Sequence, residues 1–200
     1  MSKSKTDKPS PAESALLGFA DLGLRPELLE AVHDAGYSSP TPIQQQAIPI
    51  ALEGRDLIGL AQTGTGKTAG FTLPIIERLL EEGYGHTKAG AHRVRVLVLT
   101  PTRELCVQVD ESFRKYGKHT TLRVASIYGG VPVEPQTKLL RKGVDVIVAT
   151  PGRLLDHMSW YKSALPVLGE EIVKNRRNRL EEMRRLLLAI IPRERGKTMR

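Results

Sequence analysis

The chain carries a single cysteine, Cys106, in 200 residues. An internal disulfide is excluded, and the composition suits a reducing compartment, the cytoplasm. Cys106 itself reads as a small buried hydrophobe on a helix. Also missing is any apolar run long enough to span a bilayer, so no membrane partner is expected. Residues 1–14 are polar, rich in Lys, Ser and Pro, and lack the apolar stretch of a secretory signal; they read as a disordered leader. Charge is present but unevenly placed. Of the net +8, residues 160–200 hold six, with 11 Lys and Arg against 5 Glu, and the first 159 residues are near neutral. A positive chain favours a polyanion, nucleic acid first. In the main body such a contact has to rest on specific segments. At 40% hydrophobic residues there is apolar material for a core, and the length fits one domain with appendages.

The most informative segment is Ala61-Gln62-Thr63-Gly64-Thr65-Gly66-Lys67-Thr68. It reads as a phosphate-binding loop between a short apolar strand, Asp56–Leu60, and a helix over Thr68–Leu80 that Pro74 should kink. The glycines let the backbone turn and aim its N–H groups inward. The helix N-terminus adds partial positive charge and Lys67 a full one. The Thr68 hydroxyl suits a magnesium ion bridging two phosphates. Ala61 stands where the strict pattern has its first glycine; the alternative is a glycine-rich turn that binds nothing.

Three further runs have the length of interior strands: Val94–Thr100, Leu122–Tyr128 and Val144–Thr150. Helix-like segments Arg103–Tyr116 and Glu134–Arg141 lie between them, and Arg25–Ala35 precedes. Another helix starts near Thr41, a possible N-cap, with Pro42 at its first position. A β-α-β-α order implies an α/β fold, a mostly parallel sheet with helices on both faces. Ligands in such sheets bind at the carboxyl ends of the strands. Pro101-Thr102-Arg103, Gly129-Gly130 and Thr150-Pro151-Gly152-Arg153 each follow a strand, as the phosphate loop does. His86 and His92 lie in a glycine-bearing loop, but no Cys or carboxylate cluster supports a metal there.

Taken together, Phe19, Gly36-Tyr37, Pro40-Thr41-Pro42-Ile43-Gln44, Ala61–Thr68, Pro101–Leu105, Gly129-Gly130 and Thr150–Arg153 resemble the first RecA-like domain of DEAD-box RNA helicases, most closely the bacterial type, over residues 18–159. The resemblance implies a RecA-like P-loop domain over 15–159 that binds ATP with magnesium. Nucleotide would be met by Phe19, Tyr37, Pro42, Gln44, Gln62, Thr63, Gly64, Thr65, Gly66, Lys67, Thr68 and Ala69. Gln44 would read adenine through its amide, and Phe19 would stack on the base; an ordinary exposed helix position is the alternative for Gln44. Lys67 and Thr68 would serve the catalytic phosphates. RNA, single strand or duplex, would be held through its backbone by Pro101, Thr102, Arg103, Gly129, Gly130, Thr150, Pro151, Gly152 and Arg153. For Arg103 the alternative is an internal ion pair with Glu104 or Asp110.

The tetrad Asp-Glu-Ala-Asp that names the family is absent. Similarity resumes at Leu180–Leu187 and Ile191–Arg195. Registered there, Glu170 takes the place of the catalytic glutamate and Gly169 that of the magnesium-ordering aspartate, behind a Pro166 that does not belong in an interior strand. Residues 160–200 otherwise read as a divergent tail, with one amphipathic basic helix over Glu170–Ile191. No second RecA-like domain is legible, although one is expected. The expected function is thus the ATP- and RNA-binding first domain of an ATP-dependent RNA helicase, with hydrolysis and unwinding doubtful. The alternative is a non-enzymatic RNA- or nucleotide-binding module acting through the basic C-terminal helix.

Overall fold

The computed structural model describes residues 18–83 and 94–160. A 3-10 turn (Phe19–Leu22) leads into α1 (Pro26–Asp34), α2 (Pro42–Leu52) and α3 (Lys67–Glu81). Strands and helices then alternate: β1 (Val96–Leu99), α4 (Arg103–Tyr116), β2 (Val124–Ile127), α5 (Val133–Lys142), β3 (Val146–Ala149) and α6 (Pro151–Trp160). The sheet order is β1-β3-β2 and both pairings are parallel. Val146 is level with Val96 on one side and Val124 on the other.

β3 lies in the middle because it is apolar at every position and buried at every position. Its residues alternate between the two faces, as a pleated strand must. Val146 and Val148 join Leu28, Leu73, Ile76 and Phe113 under α1, α3 and α4. Ile147 and Ala149 join Ala125, Ile127, Leu140 and Leu154 under α5 and α6. Each fully buried aliphatic side chain of this kind contributes about 1.5–3 kcal/mol of transfer free energy. The expected parallel α/β architecture with helices on both faces is therefore present.

A buried carboxylate ties the amino-terminal rim together. Asp145, at the entrance to β3, accepts from Arg95 Nη2 (2.9 Å) and Nε (3.2 Å) before β1, and from the Arg123 amide (3.0 Å) before β2. Arg95 Nη1 also donates to the carbonyls of Leu79 and Gly83, closing the end of α3. Arg25 pairs with the buried Glu77 at 2.8 Å, fastening the N-terminal helices to α3. These contacts fix one rim and leave the loops of the other free for a ligand.

One expectation is corrected. Asp56–Leu60 forms no strand, and Ile58 and Leu60 are 73% and 81% exposed. An apolar run records a demand for burial, but a strand also needs a neighbour to pair with. Among the described residues no strand pairs with this run. α3 begins at Lys67, carries the buried Pro74 in its interior, and ends at Glu81. The other strands and helices for which both limits were expected fall within two residues of them; α6 and the 3-10 turn were not foreseen. The leader 1–14, the loop with His86 and His92, and the tail 161–200 lie outside the described residues.

Candidate functional site

The three loops at the carboxyl rim converge. Pro101, Thr102, Arg103 and Glu104 after β1, Gly129 after β2, and Thr150, Gly152 and Arg153 after β3 line one open cleft of about 590 Å³. Each wall is built locally. Thr102 is the N-cap of α4, and its Oγ1 accepts from the Leu105 amide at 3.2 Å. Pro151 starts α6. The N-termini of two helices therefore open beside the cleft, with partial positive charge.

Arg103 is exposed, and among the described residues no carboxylate stands within salt-bridge distance of it. Asp110, one proposed internal partner, is taken by Arg114 at 2.7 Å. The ion-pair alternative for Arg103 is thus overturned, since the pairing that i,i+4 spacing favours is with Arg114. The Arg103 guanidinium lies instead against Gly130, whose φ of +80° and missing Cβ make the space. Arg153 differs. Its side chain is 11% exposed, and its Nη1 donates to the Val131 carbonyl at 3.0 Å. Its Nε is 3.7 Å from Asp156 Oδ2. Arg153 holds the loop that carries Gly129 and Gly130, while Arg103 presents its charge to the cleft. Glu104, on the same wall, is the opposing charge.

The phosphate loop is a second focus. Gly64 and Gly66 have φ of +83° and +85°, the left-handed turn expected of them. Lys67 opens α3, and its Nζ donates to the Ala61 carbonyl and to the Gln62 carbonyl (2.6 Å). Thr65 Oγ1 donates to the same Gln62 carbonyl at 2.8 Å. The loop is wound around its own lysine, with carbonyl oxygens where phosphate oxygens would sit. Thr63 and Gln62 are exposed and Thr68 is half-buried, while Ala69 is buried in the core.

Gln44 is 3% exposed, so the exposed-position alternative is overturned. Helix periodicity turns it toward α3. Its Oε1 accepts from the Thr41 amide (2.9 Å), one half of a capping box, and its Nε2 donates to the Gly66 carbonyl (3.0 Å). Both ends of the amide that would read a base are engaged in bracing the loop. Phe19 is 6% exposed with its ring in the core, which leaves little face for stacking on a base. Tyr37 packs on Tyr116 (centroids 6.3 Å apart) beneath Lys115, at the C-terminal end of α4. Pro42 is exposed at the first position of α2. Cys106 is fully buried, and burial pushes its thiol pKa up; it is the packing residue expected. Glu170 and Gly169 lie outside the described residues.

Sequence reasoning missed Gln136 and His157. Both are buried, 5% and 1% exposed, on α5 and α6. A polar residue on an otherwise apolar helix face was the signal, and it takes the fold to show which carbonyl it serves.

A parallel sheet with a phosphate loop opening a helix on one face, and with helix N-termini and a free arginine on its carboxyl rim, defines a RecA-like P-loop domain. The family model described as DEAD/DEAH box helicase matches residues 41–191, and the chain belongs to that family. The chain is 49% identical over 140 residues to the DEAD-box ATP-dependent RNA helicase RhpA of Helicobacter pylori strain B128, covering 70% of this chain and 27% of that one. It is 42% identical over 185 residues to the DEAD-box ATP-dependent RNA helicase 52A of Oryza sativa subsp. japonica, covering 88% and 30%. A crystal structure of a hypothetical ATP-dependent RNA helicase from Sulfolobus tokodaii aligns with a TM-score of 0.58 at 36% identity, over 71% of this chain and 38% of that one. The chain thus spans about three tenths of the length of these curated relatives.

Proposed function

We propose that this chain is the ATP- and RNA-binding first RecA-like domain of an ATP-dependent RNA helicase. The observation that carries the reading is the convergence of three strand-end loops in one cleft beside an arginine free of carboxylate partners. Phosphodiester oxygens suit that chemistry: charge from Arg103 and backbone N–H groups at the starts of α4 and α6. Recognition is then tolerant of sequence. ATP phosphates belong at Gly64–Thr68. Their binding would exchange the Ala61 and Gln62 carbonyls on Lys67 for phosphate oxygens, which set a full negative charge against the ammonium where a carbonyl sets only a dipole.

Magnesium fits the donor set, since this ion takes few protein ligands and completes its shell from phosphate and water. Thr68, on the first turn of α3, is the residue that would hold it. When bound, the ion neutralises charge between phosphates. Among the described residues the only cluster of three metal-ligating side chains is Glu30, Asp34 and His119 at the surface, where Lys118 already pairs with Asp34. The sequence has no Asp-Glu-Ala-Asp tetrad, so we expect nucleotide binding with little turnover. A cytoplasmic setting completes the reading; among the described residues no helix is long and apolar enough to cross a membrane.

The test is RNA affinity against salt. Arg103→Ala is expected to weaken binding of a single-stranded oligonucleotide and to reduce the slope of log affinity on log salt by about one. Lys67→Ala is expected to abolish ADP binding with RNA binding intact. Unchanged RNA binding in Arg103→Ala, with loss on neutralising Arg176, Arg177, Arg184 and Arg185, would move the function to the basic tail instead.

A further inference from the structure

We propose that Gln136 is a positioning residue for the RNA-contacting turn Gly129-Gly130, with His157 holding Gln136 in place. The inference rests on the assignment of the cleft to RNA. The turn between β2 and α5 presents Gly129 to the cleft and Gly130 to the Arg103 guanidinium, so its own backbone groups need partners from behind. The Tyr128 carbonyl, immediately before the two glycines, accepts from Gln136 Nε2 at 3.0 Å. The Val131 carbonyl, immediately after them, accepts from Arg153 Nη1 at 3.0 Å. The pair is clamped on both sides.

The Gln136 amide has only one way to serve. Its Nε2 is the donor to Tyr128, so its Oε1 faces His157 Nε2 at 3.4 Å, and that nitrogen carries the proton. Gln136 and His157 are both buried, where an unmatched polar group is costly and a matched one holds a single geometry. His157 and Arg153 stand four residues apart on α6, on one face of that helix. α6 thus grips the turn twice, once directly through Arg153 and once through Gln136 of α5. The consequence reaches Arg103, whose guanidinium lies on Gly130. A turn that shifts removes the surface on which the cleft's free positive charge rests. Gln136 touches no ligand in this arrangement; it acts through the turn.

The experiment uses the 200-residue chain with a fluorescein-labelled single-stranded oligouridylate, a fluorescent ADP analogue, and amide hydrogen exchange over residues 128–131. Gln136→Met keeps size and removes both hydrogen bonds. It should weaken RNA binding about 3- to 10-fold. The salt slope should stay unchanged, because no phosphate-contacting charge is lost; Arg103→Ala differs here by about one in slope. ADP affinity should hold, and exchange at 128–131 should quicken. Gln136→Glu keeps an acceptor for His157 and sets a carboxylate against the Tyr128 carbonyl. It should show the same loss, and it carries the test if Gln136→Met fails to fold. RNA affinity and exchange both unchanged in a folded variant would overturn the proposal, and so would equal losses of RNA and ADP binding. Failure of the unaltered chain to bind the oligonucleotide at low salt would instead overturn the assignment of the cleft to RNA. Faster exchange at 128–131 in the variants would still be readable then.

Discussion

Alanine at Gly130 and alanine at its neighbour Gly129 should behave as opposites. At Gly129 an added Cβ meets nothing within 4 Å, and the backbone is not in the left-handed region. At Gly130 φ is +80°, and the new Cβ would lie 2.6 Å from Arg103 Cζ and 3.1 Å from its Nη2. The left-handed conformation costs a residue with a Cβ roughly 1–2 kcal/mol. Part of that is offset by the stiffer unfolded chain, about 0.4–1 kcal/mol. A net loss of about 1 kcal/mol follows for Gly130→Ala, and a small gain for Gly129→Ala. The collision itself adds little to this, because a guanidinium at the end of a long side chain can swing aside. Its effect falls on function, because Arg103 then leaves the cleft. Thermal melting should drop by about 2–6 °C in Gly130→Ala and stay level or rise in Gly129→Ala. Oligonucleotide binding against salt should show Gly130→Ala losing affinity as Arg103→Ala does, with Gly129→Ala near the unaltered chain. If both alanine variants melt and bind alike, the placement of Arg103 on Gly130 is wrong.

Two further outcomes concern buried polar groups. Gln44→Ala leaves the Thr41 amide without its partner and the Gly66 carbonyl with the Gly70 amide alone, at a cost of about 1–3 kcal/mol by denaturant titration. ADP and GDP should both weaken as the loop loosens; unchanged affinity for both would show that Gln44 does not brace the loop, and a larger loss for ADP would place it in base recognition. For His157, burial first and the nearby Arg153 charge second hold the imidazole pKa below its ordinary value, against a small opposing effect of Asp156. The unfolded chain therefore takes up the proton first as pH falls. Stability due to this group is complete above about pH 6.5 and is lost as pH drops from there toward the folded value. Replacing His157 with Gln, which can still donate to Gln136, should flatten that part of the stability profile; an unchanged profile would show that another group carries it.

Much of the candidate site was legible in the sequence alone. Lys67, Gly64 and Gly66 announce a phosphate loop because a tight left-handed turn and a positive helix start demand those residue types in that order. The rim motifs after β1, β2 and β3 were legible because alternating apolar runs and helical stretches imply a parallel sheet, whose carboxyl ends form one edge. What could not be read was the employment of each side chain. Arg103 and Arg153 look alike in sequence, yet one lies free on a glycine and the other is spent on the Val131 carbonyl. For Gln44 the sequence offered an adenine contact or an ordinary exposed helix position, and only the packing of α2 against α3 showed that it is buried.

Local chemistry, then, is what the sequence by itself determined: turn, cap, strand and helix, each set by neighbours a few residues away. Residues 133–142 form a helix and residues 146–149 a strand for reasons contained within them. Which groups meet across the molecule was decided only by tertiary structure. Gln44 reaches Gly66 across 22 positions and His157 reaches Gln136 across 21. Asp56–Leu60 shows the same division from the other side: its apolar character is local, but hydrogen bonds to a neighbouring strand have to come from elsewhere in the chain. Contact between distant segments follows from how helices stack on a twisted sheet, and spacing along the chain carries no record of it.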